Sequence, residues 1–140
     1  MKKEIEEALY ERFGKDSLIG LATVEDGVPY VRTVDAFYED GCFYVLTYAL
    51  SNKMIQIAKG SQVAISGEWF TAHGTGTNLG WFGLEENKDI ADKIRKVFAA
   101  WIDNGHNDFD DHNTCILKIE LTTGILFANG NRYEIDFRIK

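Results

Sequence analysis

The sequence predicts an α+β domain in which about six antiparallel strands form a barrel-like sheet flanked by two to three helices. Apolar runs are separated by Glu25-Asp26-Gly27 and Glu39-Asp40-Gly41, and tight turns of this kind join antiparallel neighbours. Helical spacing of apolar residues is confined to a few segments. The length of 140 residues is typical of one domain, so we expect residues 1–140 to form a single unit.

The elements follow from local patterns. Residues 2–13 place Ile5, Leu9 and Phe13 at helical spacing before Gly14, which predicts a short amphipathic helix. Two further helices are predicted over 51–60 and 85–102. Strands are predicted over residues 18–24, 28–38, 42–48, 62–70, 71–82, 114–121 and 132–139, with a further short strand at 125–127.

Composition excludes several classes of function. The formal net charge is −7 and there is no basic tract, which argues against nucleic acid or an anionic membrane as a partner. No stretch approaches the ~20 apolar residues of a membrane span, and the first residues do not resemble a signal peptide. We therefore expect a cytoplasmic protein. Cys42 and Cys115 lie in apolar runs without a CxxC pair, so neither a disulfide framework nor a zinc site is predicted.

Positive charge is scarce between residues 16 and 87, where Arg32, Lys53 and Lys59 are the only Lys or Arg residues. On a strand, Arg32 shares a face with apolar neighbours. A guanidinium in such a place needs a partner, because burying an unpaired charge is costly. Arg32 is therefore either exposed, or paired with a carboxylate of the protein, or available for the phosphate or carboxylate of a ligand.

The segment 47–53 ends a strand and begins a helix, so free backbone N–H groups point outward at a positive dipole end. Ser51 is the expected N-cap, and Asn52 and Lys53 add a polar group and a cation. Helix N-termini of this kind bind phosphate, although capping alone also explains Ser51. Together with Arg32, the segment predicts an anion site.

Two other segments are weaker candidates. The glycines of His73–Trp81 are not followed by a helix, so a dinucleotide-binding loop is rejected. They indicate a bulged strand, or a close approach of backbone or of a flat ligand. The His- and Asp-rich segment 104–112 matches no calcium loop or HExxH helix and is interpreted as a solvated loop.

The order of elements and the two anion-seeking segments resemble the pyridoxamine 5′-phosphate oxidase-like family of flavin-binding split β-barrels. The matching stretches are Leu21–Val24, Gly27–Val34 and Thr47–Lys53, the last followed by Ile55-Gln56-Ile57. The resemblance covers most of residues 1–82 well and the remainder in outline. It implies a split barrel, flavin mononucleotide (FMN) as cofactor, and a homodimer with the flavin at its interface.

The resemblance also implies eight cofactor-binding residues: Arg32, Thr33, Val34, Thr47, Ser51, Asn52, Lys53 and Thr75. Arg32 and Lys53 look like the two cations on the FMN phosphate, which Ser51 and Asn52 flank. Thr33 and Val34 match the strand beside the isoalloxazine edge. Thr47 matches a polar contact, and Thr75 a position that also touches the flavin.

The sequence departs from the vitamin-synthesising oxidases of the family. Phe37 stands where they have a lysine beside the flavin ring, and their C-terminal Trp and Arg-rich segment is missing. A true pyridoxamine phosphate oxidase is therefore not expected. The leading hypothesis is an FMN-dependent oxidoreductase for a small molecule, without an identifiable catalytic residue. The alternatives are a non-catalytic flavin- or haem-binding module and a protein resembling nitroimidazole reductases. His73, His106 and His112 are the possible haem ligands.

Overall fold

The structure, a computed structural model, describes residues 1–139. In chain order its elements are α1 (Lys3–Phe13), β1 (Ser17–Glu25), β2 (Val28–Glu39), β3 (Cys42–Tyr48), α2 (Asn52–Lys59), β4 (Gln62–Gly67), β5 (Phe70–Trp81), α3 (Lys88–Val97), β6 (Thr114–Ala128) and β7 (Asn131–Asp136). A short 3-10 helix, Glu85–Asn87, leads into α3.

Three two-residue turns fix the register of the hairpins. Asp26-Gly27, Asp40-Gly41 and Asn129-Gly130 all have positive φ at both residues, the conformation that matches the twist of a tight hairpin. Asp and Asn tolerate this conformation better than other side chains, and Gly adopts it freely. Each turn therefore forces antiparallel pairing of the strands on either side.

The strands form a closed antiparallel barrel of six strands. The sheet order is β3-β2-β1-β4-β5-β6-β7, and an additional pairing of β3 with β6 closes the barrel. β6 can serve both roles because it is 15 residues long: its first half pairs with β3 and its second half with β7. β7 thus extends the sheet outside the barrel. The predicted α+β split barrel is confirmed.

The core is divided into two clusters. The barrel interior is filled by alternate residues of the strands, such as Ile19, Leu21 and Phe43, and is covered by α1 and by Met54 and Ile57 of α2. The second cluster lies outside the barrel, where Phe37, Ile116 and the apolar face of α3 pack together. Residues 36 to 38 of β2 consequently are buried on both faces.

Several predicted boundaries are wrong. The predicted strand 114–121 and the short strand 125–127 are one strand, β6, which runs through residues 122–124. The turn between β4 and β5 falls at Glu68-Trp69 rather than at residue 70, and Trp69 has a φ of 52°. The third helix is α-helical only over Lys88–Val97, although Phe98 and Ile102 still reach the second core cluster.

No helix within residues 1–139 is long and apolar enough to cross a membrane. Both cysteines are free thiols and both are buried, Cys42 beside the second turn and Cys115 in the barrel interior. Their interpretation as small buried hydrophobic residues is therefore confirmed.

Candidate anion-binding site

Arg32 lies at the end of the barrel that α2 covers, which we call the α2 end. The alternation of β2 turns its side chain to the same face as Val34 and Ala36, which pack in the barrel interior. The guanidinium is partly buried there and donates to Thr23 Oγ1 (2.7 Å), Gln56 Oε1 (2.9 Å) and the carbonyl of Leu21 (3.3 Å). All three acceptors are neutral. Among residues 1–139, Arg32 has no carboxylate partner.

Lys53, in the first turn of α2, is the second cation at the α2 end. Its Nζ lies 3.4 Å from Ser51 Oγ, and it likewise forms no ion pair within the described chain. Burial lowers the pKa of Lys53, and the nearby positive charge of Arg32 lowers it further. Burial also lowers the pKa of Arg32. Two positive charges are thus partly buried near each other, which costs solvation and adds repulsion. A bound oxyanion would offset both costs.

The third cation of residues 16–87 is already paired. Lys59, at the C-terminal end of α2, forms an ion pair with Glu25. Of the three cations in residues 16–87, only Arg32 and Lys53 are therefore left for a ligand. This is the arrangement that the sequence predicts for an anion site.

The N-terminus of α2 adds backbone donors. Ser51 is the N-cap by position, as predicted, but its hydroxyl donates to the carbonyl of Tyr48 (2.7 Å) and does not cap the helix. The N–H groups of Asn52, Lys53 and Met54 therefore remain without the usual side-chain acceptor. Asn52 itself is the first residue of α2 and is exposed. Free N–H groups at a positive dipole end favour an anion.

β2 has an open edge next to Arg32. It pairs with β1 over its length but with β3 only at Phe37, Tyr38 and Glu39. In a two-residue hairpin the flanking pair, here Glu25 and Val28, exchanges both hydrogen bonds, so even-numbered residues of β2 bond to β1. The N–H and C=O groups of Val31, Thr33 and Asp35 therefore point to the open edge.

The other predicted residues differ in what they present to this site. Thr33 offers its backbone to the open edge, whereas the side chain of Val34 packs inward. Thr47 faces Cys115 across β3 and β6. Burial raises the pKa of the Cys115 thiol to about 11, and the positive charge of Lys53 offsets part of that rise.

Thr75 pairs with Gln62 of β4, and the next residue, Gly76, lies against Ile57 of α2. Thr75 lies on β5 and lines a cavity of about 360 Å³ with residues of the β2–β3 turn, Asp40, Gly41 and Cys42. The α2 end lies at the far end of β2 from this turn. A role for Thr75 at the flavin stays a prediction.

Sequence reasoning missed Thr23 and Gln56. Thr23 is fully buried on β1 and Gln56 is 4% exposed on α2, and together they hold Arg32. A signal for both was present: each is a polar residue at a position where the periodicity of its element predicts an apolar one.

The glycine-rich strand approaches its neighbour closely at Gly74. A Cβ at Gly74 would lie 2.7 Å from the carbonyl oxygen of Glu120, and the register of β5 and β6 shifts at the same place. The interpretation of a bulged strand with close backbone approach is confirmed. The His- and Asp-rich loop packs against the barrel, since Trp81 donates to the carbonyl of Phe109 and Tyr48 to Asp111.

Comparison with known proteins supports the fold. A NimC/NimA family protein from Clostridium acetobutylicum is 18% identical, with a TM-score of 0.64 over 93% of this chain and 92% of that one. An FAD-binding protein from Mesorhizobium loti is 17% identical, with a TM-score of 0.67 over 89% and 92%. A protein of the pyridoxine phosphate oxidase family from C. acetobutylicum, related to general stress protein 26, is 14% identical, with a TM-score of 0.61 over 94% and 92%.

These likenesses show that the chain has the split-barrel fold of pyridoxamine phosphate oxidase-like proteins. No family model and no curated protein matches the sequence.

Proposed function

We propose that this protein binds FMN and acts as an oxidoreductase on a small molecule. The observation that carries the proposal is the pair formed by Arg32 and Lys53. Both are partly buried at the α2 end, both lack an acidic partner in residues 1–139, and both lie near the uncapped N-terminus of α2. A phosphate dianion matches this site in charge and in its demand for N–H donors.

The open edge of β2 fits the rest of the cofactor. Thr33 directs a backbone N–H and a C=O to that edge, and such a pair suits a flat ring with polar atoms along one side. FMN would supply the electron-transfer chemistry, while the protein binds and orients it. In this proposal Ser51, Asn52 and Thr47 would contact the cofactor beside the two cations. Similarity in fold to an FAD-binding protein favours a flavin, and the cation pair favours one terminal phosphate.

A homodimer belongs to the same proposal. The outer face of β1 and β2 exposes Leu18 and Val31, which are 65% and 75% accessible. The same face includes the small residues Gly20 and Ala22. An apolar face of this kind is typical of an interface. The open edge of β2 borders this face, so a second copy would form a wall over the flavin.

The buried Phe37 argues against a true pyridoxamine phosphate oxidase. Its ring is fully buried between Tyr44 and Phe98, so this position supplies no cation to a flavin. A haem-binding module has less support, because His73 and His106 are exposed and His112 stacks on Trp81 at 3.9 Å. The likeness to a NimC/NimA family protein keeps reduction of a nitroaromatic compound as a second candidate activity.

The first test is the visible spectrum of the purified protein and its titration with FMN. We expect the yellow spectrum of bound flavin. The double variant Arg32→Ala/Lys53→Ala should bind FMN more than tenfold more weakly, because charge-assisted contacts to the phosphate are lost. NADH should reduce the bound flavin of the wild type. A bound flavin that no nicotinamide donor reduces would favour the non-catalytic module.

The matched control is Lys88→Ala/Arg132→Ala, which removes the same charge from two exposed ion pairs. It should bind FMN like the wild type. Equal FMN affinity of the Arg32/Lys53 variant and the wild type would refute the phosphate site, and a colourless protein that binds no added FMN would refute the proposal as a whole.

A further inference from the structure

The guanidinium of Arg32 is held by a small buried network. Thr23 Oγ1 accepts from Nη1 of Arg32 and donates its own proton to Oε1 of Gln56, which also accepts from Nη2 of Arg32. The second Nη1 proton goes to the carbonyl of Leu21. The Thr23 hydroxyl therefore both accepts and donates a hydrogen bond, and Gln56 Oε1 accepts two. Such fully satisfied buried networks fix side-chain positions.

Two donors fix the orientation of the Gln56 amide. Its Oε1 accepts from the Thr23 hydroxyl and from Nη2 of Arg32. The flipped amide would set its NH2 group against the guanidinium, where donor would meet donor. The two possible orientations of the amide are therefore not equivalent.

The network leaves one edge of the guanidinium free. Because Thr23 and Gln56 are bonded to each other, they occupy the edge formed by Nη1 and Nη2, and Leu21 takes the remaining Nη1 proton. The Nε–H and the second Nη2–H remain. These two groups lie side by side, in the geometry that binds two oxygens of one oxyanion.

We propose that Thr23 and Gln56 are positioning residues that orient Arg32 toward a terminal phosphate without neutralising it. The inference rests on the proposed function, since it concerns the same site. Its physical basis is that both acceptors are neutral. A carboxylate in place of Gln56 would hold Arg32 equally well but would cancel the charge that attracts the ligand.

The first experiment measures the preference for FMN over riboflavin, which lacks only the phosphate. Gln56→Glu keeps an acceptor for Arg32 and adds a negative charge, so the preference should fall about tenfold or more. Thr23→Val keeps the shape and removes the hydroxyl, so it should lower the preference about threefold or more. Riboflavin affinity should change little in both. The control Asn104→Asp adds the same charge at an exposed loop residue outside the site and should keep the wild-type preference.

The second experiment needs no flavin. In isotope-labelled wild-type protein, the Nη protons of Arg32 should give separate NMR signals, because the network hinders their rotation. Inorganic phosphate should shift the Nε–H signal. In Thr23→Val the Nη signals should broaden or merge, while circular dichroism confirms that the fold is retained.

The outcomes separate the two proposals. A wild type that responds to phosphate but not to FMN would overturn the flavin proposal and leave the network inference standing. Unchanged FMN preference in both variants of the network would overturn the inference and leave FMN binding intact. Freely rotating Arg32 in the wild type would also overturn it.

Discussion

The carboxyl group of Asp35 is in an environment that disfavours its negative charge. This group is partly buried on β2, and it faces the carboxyl group of Asp16 at the start of β1. Burial raises the pKa of Asp35 most, and the hydrogen bond and negative charge of Asp16 raise it further. Asp16 in turn accepts a hydrogen bond from the indole of Trp101 at 2.9 Å. The folded state therefore holds the proton of Asp35 more tightly than the unfolded chain does.

This pair predicts the direction of a pH effect on stability. Because the pKa of Asp35 is higher in the folded than in the unfolded state, its favourable contribution is present below the unfolded pKa and is lost as pH rises through the folded pKa. Asp35→Asn should therefore raise the melting temperature at pH 7 and reduce its decline between acidic and neutral pH. The exposed Asp110→Asn should show neither effect. A variant less stable than the wild type at neutral pH would contradict the argument.

The candidate site also shows at this scale what sequence can reveal. Arg32 and Lys53 can be proposed from the sequence as anion ligands, because residues 16–87 hold few other cations and each lies at a recognisable position on its element. Thr23 and Gln56 were not identified, since their role depends on β1 and α2 meeting over Arg32. That meeting is a tertiary contact, and local periodicity shows only that a polar residue occupies a buried position.

At the scale of elements, hairpins were predictable and longer connections were not. The turns at residues 26–27 and 40–41 have the Asp-Gly chemistry that tight hairpins require. The turn at Glu68-Trp69 has no such signal, because a tryptophan there adopts a positive φ that its side chain disfavours. The sequence predicts two strands where the structure has only β6, because Thr122, Thr123 and Gly124 are typical of a loop. At position 124 the strand passes close to its neighbour: a Cβ there would lie 3.0 Å from the carbonyl oxygen of Thr71, which favours glycine.

Because β5 and β6 approach closely at the bulge, we expect a methyl group at position 74 to lower the stability of the protein. Gly74→Ala would place a Cβ 2.7 Å from the backbone oxygen of Glu120, so either strand must move. We expect a loss of about 1–3 kcal/mol in the free energy of unfolding, measured by urea denaturation. Gly60→Ala is the control, since no atom lies within 4 Å of its Cβ position and its φ of −152° suits any residue. Equal stability of the two variants would show that the strands can separate without cost.

At the scale of the whole molecule, the closed barrel leaves one face of β1 and β2 without a covering element. α1 and α2 cover the barrel ends, and α3 covers only the part of β2 and β3 near Phe37. The fold class could be expected from the sequence. The position of the opening between β2 and β3 could not, because it depends on where barrel closure draws β3 toward β6.

We expect the protein to be a homodimer that uses this face. Size-exclusion chromatography with light scattering should give about twice the chain mass of 15.9 kDa. Val31→Asp places a charge on the most exposed apolar side chain of β2 and should yield monomers with weakened FMN binding. Ile139→Asp changes an equally exposed apolar residue outside this face and should remain dimeric. A monomeric wild type that binds FMN tightly would refute the shared site.

The tight turn at Asp26-Gly27 has a consequence for the order of folding. It joins the two strands that carry Thr23 and Arg32, whose contact spans only nine residues of chain. Closing so short a loop costs little entropy, whereas pairing β3 with β6 brings together residues as distant as Cys42 and Glu120. The hairpin can therefore set the face on which the guanidinium lies before the barrel closes. A one-residue slip in that early hairpin would turn Arg32 to the outer face, so the geometry of the candidate anion site depends on this turn.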